Sequence, residues 1–289
     1  MPSLSQHQSS EYTKMMVIGD SGAGKTGGLV SLVDAGYKLR IVDMDNGLDA
    51  LVAQVLHRCP DKIDNVEFVT FRDKKVPSPN GFVVEGSARA YLDACKATEK
   101  WTDGSIPWKW GPEHILVIDT GTTLGDAAYD WREQLTPRGK SGQYDGRAVY
   151  YDAQKSLKGL FATLTGEAYR TNVMVLTHVR WIEQDGGLMK GYPSTIGQAL
   201  SPMIGLYFNT VLLVANQQGK RWVRTVSTHQ IDLKNPKPFI MGPQYPLETG
   251  YADIFKVLRQ QTQEVTPPPK PQHVAPQVRP QKLNLIRRT

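Results

Sequence analysis

The chain has 289 residues, 40% of them apolar, with a formal net charge of +6, and it is long enough to bury one substantial core. No apolar run approaches the ~20 residues of a membrane span, and the opening MPSLSQHQSSE lacks the basic and apolar blocks of a secretory leader. The two cysteines, Cys59 and Cys95, show no metal-ligand spacing, so zinc and disulfide frameworks drop out and a reducing, cytoplasmic setting is expected.

The excess charge is local. The final stretch TPPPKPQHVAPQVRPQKLNLIRRT holds Lys270, Arg279, Lys282, Arg287 and Arg288 and no acid, so it carries five of the six net charges. The body is nearly neutral, and bulk charge gives it no nucleic-acid face.

Residues 1–11 are polar and expected to be disordered. Met15 to Ile18 predict a short buried strand, and GDSGAGKT follows at 19–26. Gly19, Gly24, Lys25 and Thr26 satisfy the phosphate-loop pattern. In such a loop the backbone N–H groups of the run Gly19, Asp20, Ser21, Gly22, Ala23 and Gly24 line a hollow that fits a phosphate, and the next helix adds its positive dipole end. Lys25 would reach the β- and γ-phosphates and the Thr26 hydroxyl would ligate Mg²⁺, so ATP and Mg²⁺ are the expected cofactors. Gly27 and Gly28 would each cost the first helical turn ~1 kcal/mol relative to Ala. Either that turn approaches another backbone closely or the helix starts loosely.

Leu29, Val30, Leu32 and Val33 form the sheet-facing side of that helix, and LRIVDMD reads as a second buried strand. In GLDALVAQVL, residues Leu48, Leu51, Val52, Val55 and Leu56 recur at helical spacing. VEFVTF is a strand, KKVPSPNG a loop, ARAYLDACKATEKW a helix, and HILVIDTGTTL a strand ending in an acid. Trp101, Trp108 and Trp110, just before it, read as a packed aromatic cover at the sheet edge, the alternative being a subunit contact or a base-stacking platform. After a Gly-rich interruption, the stripe Leu157, Leu160, Phe161 and Leu164 leads to the strand VMVLTH. NTVLLVAN and KRWVRTVS read as a hairpin turning at Gln217 to Gly219. The expected fold is α/β: a P-loop NTPase with a mostly parallel, doubly wound sheet, a C-terminal antiparallel hairpin extension and a disordered tail. Its expected domains are a disordered 1–11, a core over 12–265 and a Pro-rich basic tail over 266–289.

Hydrolysis needs an acid for the Mg²⁺ shell, a base for water and a polar sensor of the γ-phosphate, all from carboxyl ends of neighbouring strands. Asp119, ending ILVID, fits the first role; the alternative is a cap for the following helix. Asp43 and Asp45 end LRIVDMD and would share one side of a regular strand. Asp45 is the candidate base, against an alternative in which it or Asn46 caps a helix. His178 ends VMVLTH, where its ring can touch the γ-phosphate or serve as a structural group.

These pieces together resemble the RecA-like recombinases, most closely the compact RecA-core single-strand annealing proteins of phages. In that family the phosphate loop is followed by a segment of the form I-D-A-E-H-A-L-D whose Glu is the base. Here the frame reads VDMDNGLD, with Asp45 at the base position and Asp49 at the closing acid. ILVIDT is similar to the family's Walker B strand, and VMVLTHVR to its sensor strand, with His178 in place of Gln. The resemblance runs from about Met15 to Phe239. It implies a RecA-like core, DNA-stimulated ATPase activity, a ring or filament of identical subunits, and two DNA-binding loops. Those loops correspond to LTPRGKSGQYDGR, with Arg138, Lys140, Tyr144 and Arg147, and to IEQDGGLMKGYPSTIG, with Lys190 and Tyr192. Basic groups and aromatics are the ingredients for single-stranded DNA. The family completes each ATP site with lysines of a neighbouring subunit, and Lys234, in IDLKNP, is the nearest match, with a solvated turn residue as the alternative. The tail, with Leu283, Leu285 and Ile286 beside Arg287 and Arg288, suits DNA or the acidic tail of a single-strand-binding protein, or is a plain solubilising extension. The competing readings are a small-molecule or nucleoside kinase, in which Arg138 and Arg147 belong to a lid, and a nucleotide-switched binding module or DNA-packaging motor.

Overall fold

The computed structural model describes residues 11–79, 81–138 and 145–260. In chain order the elements are β1 (Lys14–Gly19), α1 (Val30–Asp34), β2 (Lys38–Asp43), α2 (Asp49–Arg58), β3 (Val66–Thr70), β4 (Lys75–Ser78), β5 (Gly81–Val84), α3 (Ala90–Glu99), β6 (Gly111–Asp119), α4 (Gly121–Leu135), α5 (Gly146–Thr165), β7 (Thr171–Thr177), β8 (Val179–Glu183), β9 (Met189–Pro193), α6 (Gly197–Ile204), β10 (Thr210–Gln217), β11 (Lys220–Arg224), β12 (Gln244–Pro246) and α7 (Leu247–Arg259).

Among the described residues the main sheet has eight strands in the order β12-β11-β10-β1-β7-β6-β2-β3. From β10 to β3 the neighbours are parallel, and β11 and β12 extend the sheet antiparallel. The apolar strands are unbroken because both faces are covered. Along β1, Met16 and Ile18 enter one core with Ala94 of α3, Leu124 of α4 and Phe161 of α5; Met15 and Val17 enter the other with Leu32 of α1, Leu51 of α2 and Phe255 of α7. The β10–β11 hairpin turns where it was expected, at Gln218 and Gly219, both with positive φ.

Four local expectations are corrected. KKVPSPNG is not a plain loop, because β4 and β5 pair antiparallel across it. The segment after β7 is likewise a hairpin, β8 with β9. The Gly-rich stretch after Asp119 is helix α4, capped by Thr120 and packed through Leu124, Ala127 and Ala128. In α2 the apolar face narrows to Leu51 and Val55, with Val52 and Leu56 exposed. Trp101 is buried, edge-on to Trp110, with its indole N–H donated to Glu67, as an aromatic cover requires. Residues 1–10, Lys140, Tyr144 and the tail from 261 lie outside the described residues. Among the described residues no helix is long and apolar enough to cross a membrane.

Candidate active site

Register brings the chemistry to one edge of the sheet. Ile18 pairs with Thr177, and Asp119 pairs with both Leu176 and Asp43. The loop after β1, the acids ending β2 and β6, and His178 after β7 therefore emerge together at the carboxyl ends of parallel strands.

In the loop, Gly22 and Gly24 have φ of +73° and +101°, the left-handed region that glycine enters without steric cost. Gly28 answers the question of the unusual first turn. A Cβ there would stand 2.6 Å from Leu247 Cδ1 and 3.0 Å from Tyr251 Cε2, so α7 lies against the turn. The close approach is to side chains, not to another backbone. The turn itself is 3-10 over Gly27–Leu29 before α1 begins.

Lys25 is buried, and its Nζ donates to the carbonyls of Gly19 at 2.8 Å and Asp20 at 3.0 Å. Burial lowers its pKa, an effect opposed by Asp119, Asp20 and Asp45. Thr26 Oγ1 donates to Asp119 Oδ2 at 2.6 Å. Burial raises the Asp119 carboxyl from 3.8 to about 6 despite that hydrogen bond. A hydroxyl touching a buried carboxylate is the oxygen pair that a phosphate-bound Mg²⁺ uses, and a dication there offsets the burial of the charge. The residues present therefore fit a magnesium–nucleotide complex. The Asp119–Thr120 peptide is cis.

Strand β2 ends two residues earlier than a regular LRIVDMD would, because Asp43 Oδ1 accepts from the backbone N–H groups of Asp45 (3.1 Å) and Asn46 (2.8 Å). Asp43 Oδ2 accepts from Thr70. Asp43 is thus occupied in turning the chain and does not share a strand side with Asp45. Asp45 does not cap α2, whose N-cap is Leu48. Its Oδ1 instead accepts from Thr123 Oγ1 and, at 3.5 Å, from Thr120 Oγ1.

His178 Nδ1 stands 3.4 Å from Lys25 Nζ. Burial first, then the Lys25 ammonium, hold its pKa below 6.5, so the imidazole is neutral near pH 7. Its backbone N–H donates to Thr122 Oγ1, which in turn donates to the Ser194 carbonyl. Lys25, Thr26, Asp45, Asp119 and His178 line one cavity of about 340 Å³ together with Ser21, Gly22, Gly24 and Arg221.

Arg221, from β11, was missed by the sequence; no local motif sets KRWVR apart, and only the sheet order brings it against Gly24. The threonines that hold Asp45 and His178 follow the acid directly, in DTGTT, and the spacing of a helical first turn was their only signal.

The remaining DNA-contact and subunit-contact candidates among the described residues lie outside this cavity. Arg147 is exposed in the first turn of α5, capped by Asp145, and Arg138 is exposed just beyond α4. Lys190 pairs with Asp232 at 2.7 Å, and Tyr192 is half-buried on β9. Lys234 Nζ donates to the carbonyls of Gly205 (2.7 Å) and Phe208 (3.2 Å) of its own chain.

A phosphate loop, a buried strand-end acid on its threonine and a doubly wound parallel sheet define a P-loop nucleotide-binding domain. The chain belongs to the AAA domain family, whose model matches residues 11–236. No curated protein matches it. Among solved structures it is similar to an ATPase from the type III secretion system of pathogenic bacteria, with 13% identity, a TM-score of 0.42, and 71% of this chain and 53% of that one covered. It is also similar to the ATP synthase subunit NeqB of Nanoarcheaum equitans, with 9% identity, a TM-score of 0.38, and coverage of 71% and 48%. The chain spans about half the length of these structures.

Proposed function

We propose that the protein binds ATP with Mg²⁺ in this cavity, hydrolyses it, and uses the cycle as a single-stranded-DNA-binding recombinase or annealing protein of the phage RecA-core type. It acts as a homo-oligomer, ring or filament, with single-stranded DNA as its partner. The observation that carries the reading is that Lys25, Thr26, Asp45, Asp119 and His178, from the ends of four strands, line one cavity whose last member leads straight into the β8–β9 hairpin.

The loop N–H groups and Lys25 bind the phosphates, and Thr26 and Asp119 hold the metal, which when bound draws charge from the phosphoryl oxygens. Asp45, fixed by Thr123, takes the proton of the attacking water. His178 presents a neutral ring to the γ-phosphate. Because the Ser194 N–H donates to the His178 carbonyl at 2.7 Å, and Thr122 ties both strand ends together, a displacement of His178 moves the hairpin root. That link supports nucleotide-dependent DNA binding. The tail, outside the described residues, is proposed as the contact for a single-strand-binding protein.

The test is ATP hydrolysis with and without single-stranded oligonucleotide, beside strand annealing on the same preparation. DNA should stimulate turnover, and Lys25→Ala should abolish it. Turnover indifferent to DNA, with no complex at low salt, refutes the DNA reading, and phosphoryl transfer to a nucleoside replaces it with a kinase.

A further inference from the structure

We propose that a second groove, on the outer side of the phosphate loop, seats one unstacked nucleotide of single-stranded DNA, with Trp181 stacking on the base and Arg224 contacting the phosphate. This rests on the single-stranded-DNA reading above and assigns the residues that perform it.

The groove has a volume of about 500 Å³ and is walled by residues 20–23 of the loop, by Val179 and Trp181 of β8, and by residues 228–231. That volume is within the ~300–1,000 Å³ of small-ligand pockets. Two of its walls are joined: Gly191 N–H donates to the Gln230 carbonyl at 2.8 Å. A Cβ at Gly191 would stand 2.9 Å from Ile231 Cγ1, so glycine there lets the hairpin and the 228–231 strip close on each other. The groove is preformed, which lowers the ordering cost of binding.

Trp181 is 42% exposed, an unusual position for the largest apolar side chain on a hairpin. An indole open to solvent at the rim of a groove is a stacking platform that accepts any base. Arg224 Nε is buried with no hydrogen-bond partner among the described residues. Such donors are uncommon in folded proteins, and one beside a groove calls for an acceptor such as water or an ion. Asp20 places one carboxylate in the wall, so the groove does not trap anions in general, and stacking must carry the recognition.

The same hairpin geometry demotes the residues expected from sequence. Across the ladder Trp181 faces Gly191, whereas Lys190 faces Ile182 and Tyr192 faces Arg180. Alternation therefore puts Lys190 and Tyr192 on the other face of the hairpin from Trp181, and Lys190 is already bonded to Asp232. Ser21 and Gly22 line both this groove and the nucleotide cavity. A strand bound here and a nucleotide bound there thus share one wall, and whatever effect one has on the affinity of the other is returned to the same degree.

The experiment titrates a labelled oligothymidylate into the full chain with Mg²⁺ and ATP at several salt concentrations. Trp181→Ala should weaken binding about fivefold or more and leave the salt slope unchanged, while Trp181→Phe keeps most of the affinity. Arg224→Gln should make the slope of log affinity against log salt shallower by about 0.7, the value for one lost phosphate contact on a single strand. If Trp181→Ala fails to fold, the Phe and Gln variants decide. Wild-type binding to single strands with no change in any variant, or equal wild-type binding to duplex, overturns the groove. No binding by the wild type at low salt overturns the DNA reading itself.

Discussion

Replacing Asp119 by Asn should stabilise the protein in the absence of nucleotide and metal, although the residue holds the metal in the proposed mechanism. Burial keeps this carboxyl near pH 6 where 3.8 is ordinary. The raised pKa makes the direction definite. Below about 3.8 the group is protonated in both states and costs nothing; the cost grows as pH rises and is complete above about 6. At ~1.4 kcal/mol per pH unit, ionised Asp119 takes about 3 kcal/mol from the folded state. Asn cannot ionise and keeps an oxygen to accept from Thr26, so its advantage should widen from pH 5 and level off by pH 8, at about 5–10 °C in Tm for a chain of this size. Saturating Mg²⁺ and ATP should reverse the order, since ligand at a thousand times Kd adds ~4.1 kcal/mol to the wild type, more than the burial cost, whereas the variant has lost the charge that holds the metal. Circular dichroism melts from pH 5 to 8, with and without ligand, measure both arms. An Asn variant no more stable than wild type at pH 8 without ligand would refute the burial argument.

Asp45→Asn should lower turnover by about 10²–10⁴, the range for a lost general base, with nucleotide affinity retained, as read by a fluorescent analogue. Thr123→Val, which frees the Asp45 carboxylate, should give a smaller loss of the same kind; wild-type turnover in Asp45→Asn would remove the residue from the chemistry. Gly28→Ala should lower the urea midpoint, because a methyl 2.6 Å from Leu247 Cδ1 overpacks a filled site by ~1–3 kcal/mol, more than the ~1 kcal/mol of helix propensity gained. Adding Leu247→Ala should cancel part of that loss, and a stabilised Gly28→Ala would contradict the packing. His178→Gln should hydrolyse ATP near neutral pH within a few-fold of wild type, since burial and Lys25 already keep the imidazole uncharged; a Gln variant as impaired as His178→Ala would give the ring a protonated role.

The parallel sheet was legible because its strands are unbroken apolar runs and its helices carry periodic stripes, both signatures of burial on two faces. The ends of those runs, Gly19, Asp119 and His178, marked the site for the same reason. What escaped were elements whose local composition argues against them. Helix α4 begins in GTTLGD, yet Thr120 caps it and tertiary packing of Leu124 and Ala128 overrides the weak propensity. The β4–β5 and β8–β9 hairpins expose Phe82 and Trp181 and carry Pro and Gly, so their composition argues against strands even though burial alternates along β4 and β9. Arg221 and Lys234 show a second limit: each contact depends on residues distant in sequence that the fold brings close, which no spacing encodes.

The order of the strands gives these pieces a mechanical meaning. Strand β7 lies between β1 and β6, so its end at Thr177 is wedged between the phosphate loop and the metal-side acid. A γ-phosphate placed against Lys25 meets His178, which is bonded through Thr122 and Ser194 to the root of β8–β9. The hairpin in turn carries Trp181 back over the outer surface of the same loop. A single short path, from loop to histidine to hairpin and back to the loop, encloses both cavities. In packed cores such connected elements adopt discrete arrangements instead of deforming smoothly. Breaking the path at Thr122 with Val should therefore leave both ligands able to bind but weaken their coupling to what the shared loop wall carries, which separate titrations of ATP and oligothymidylate, each with and without the other, would show as a coupling factor falling toward one.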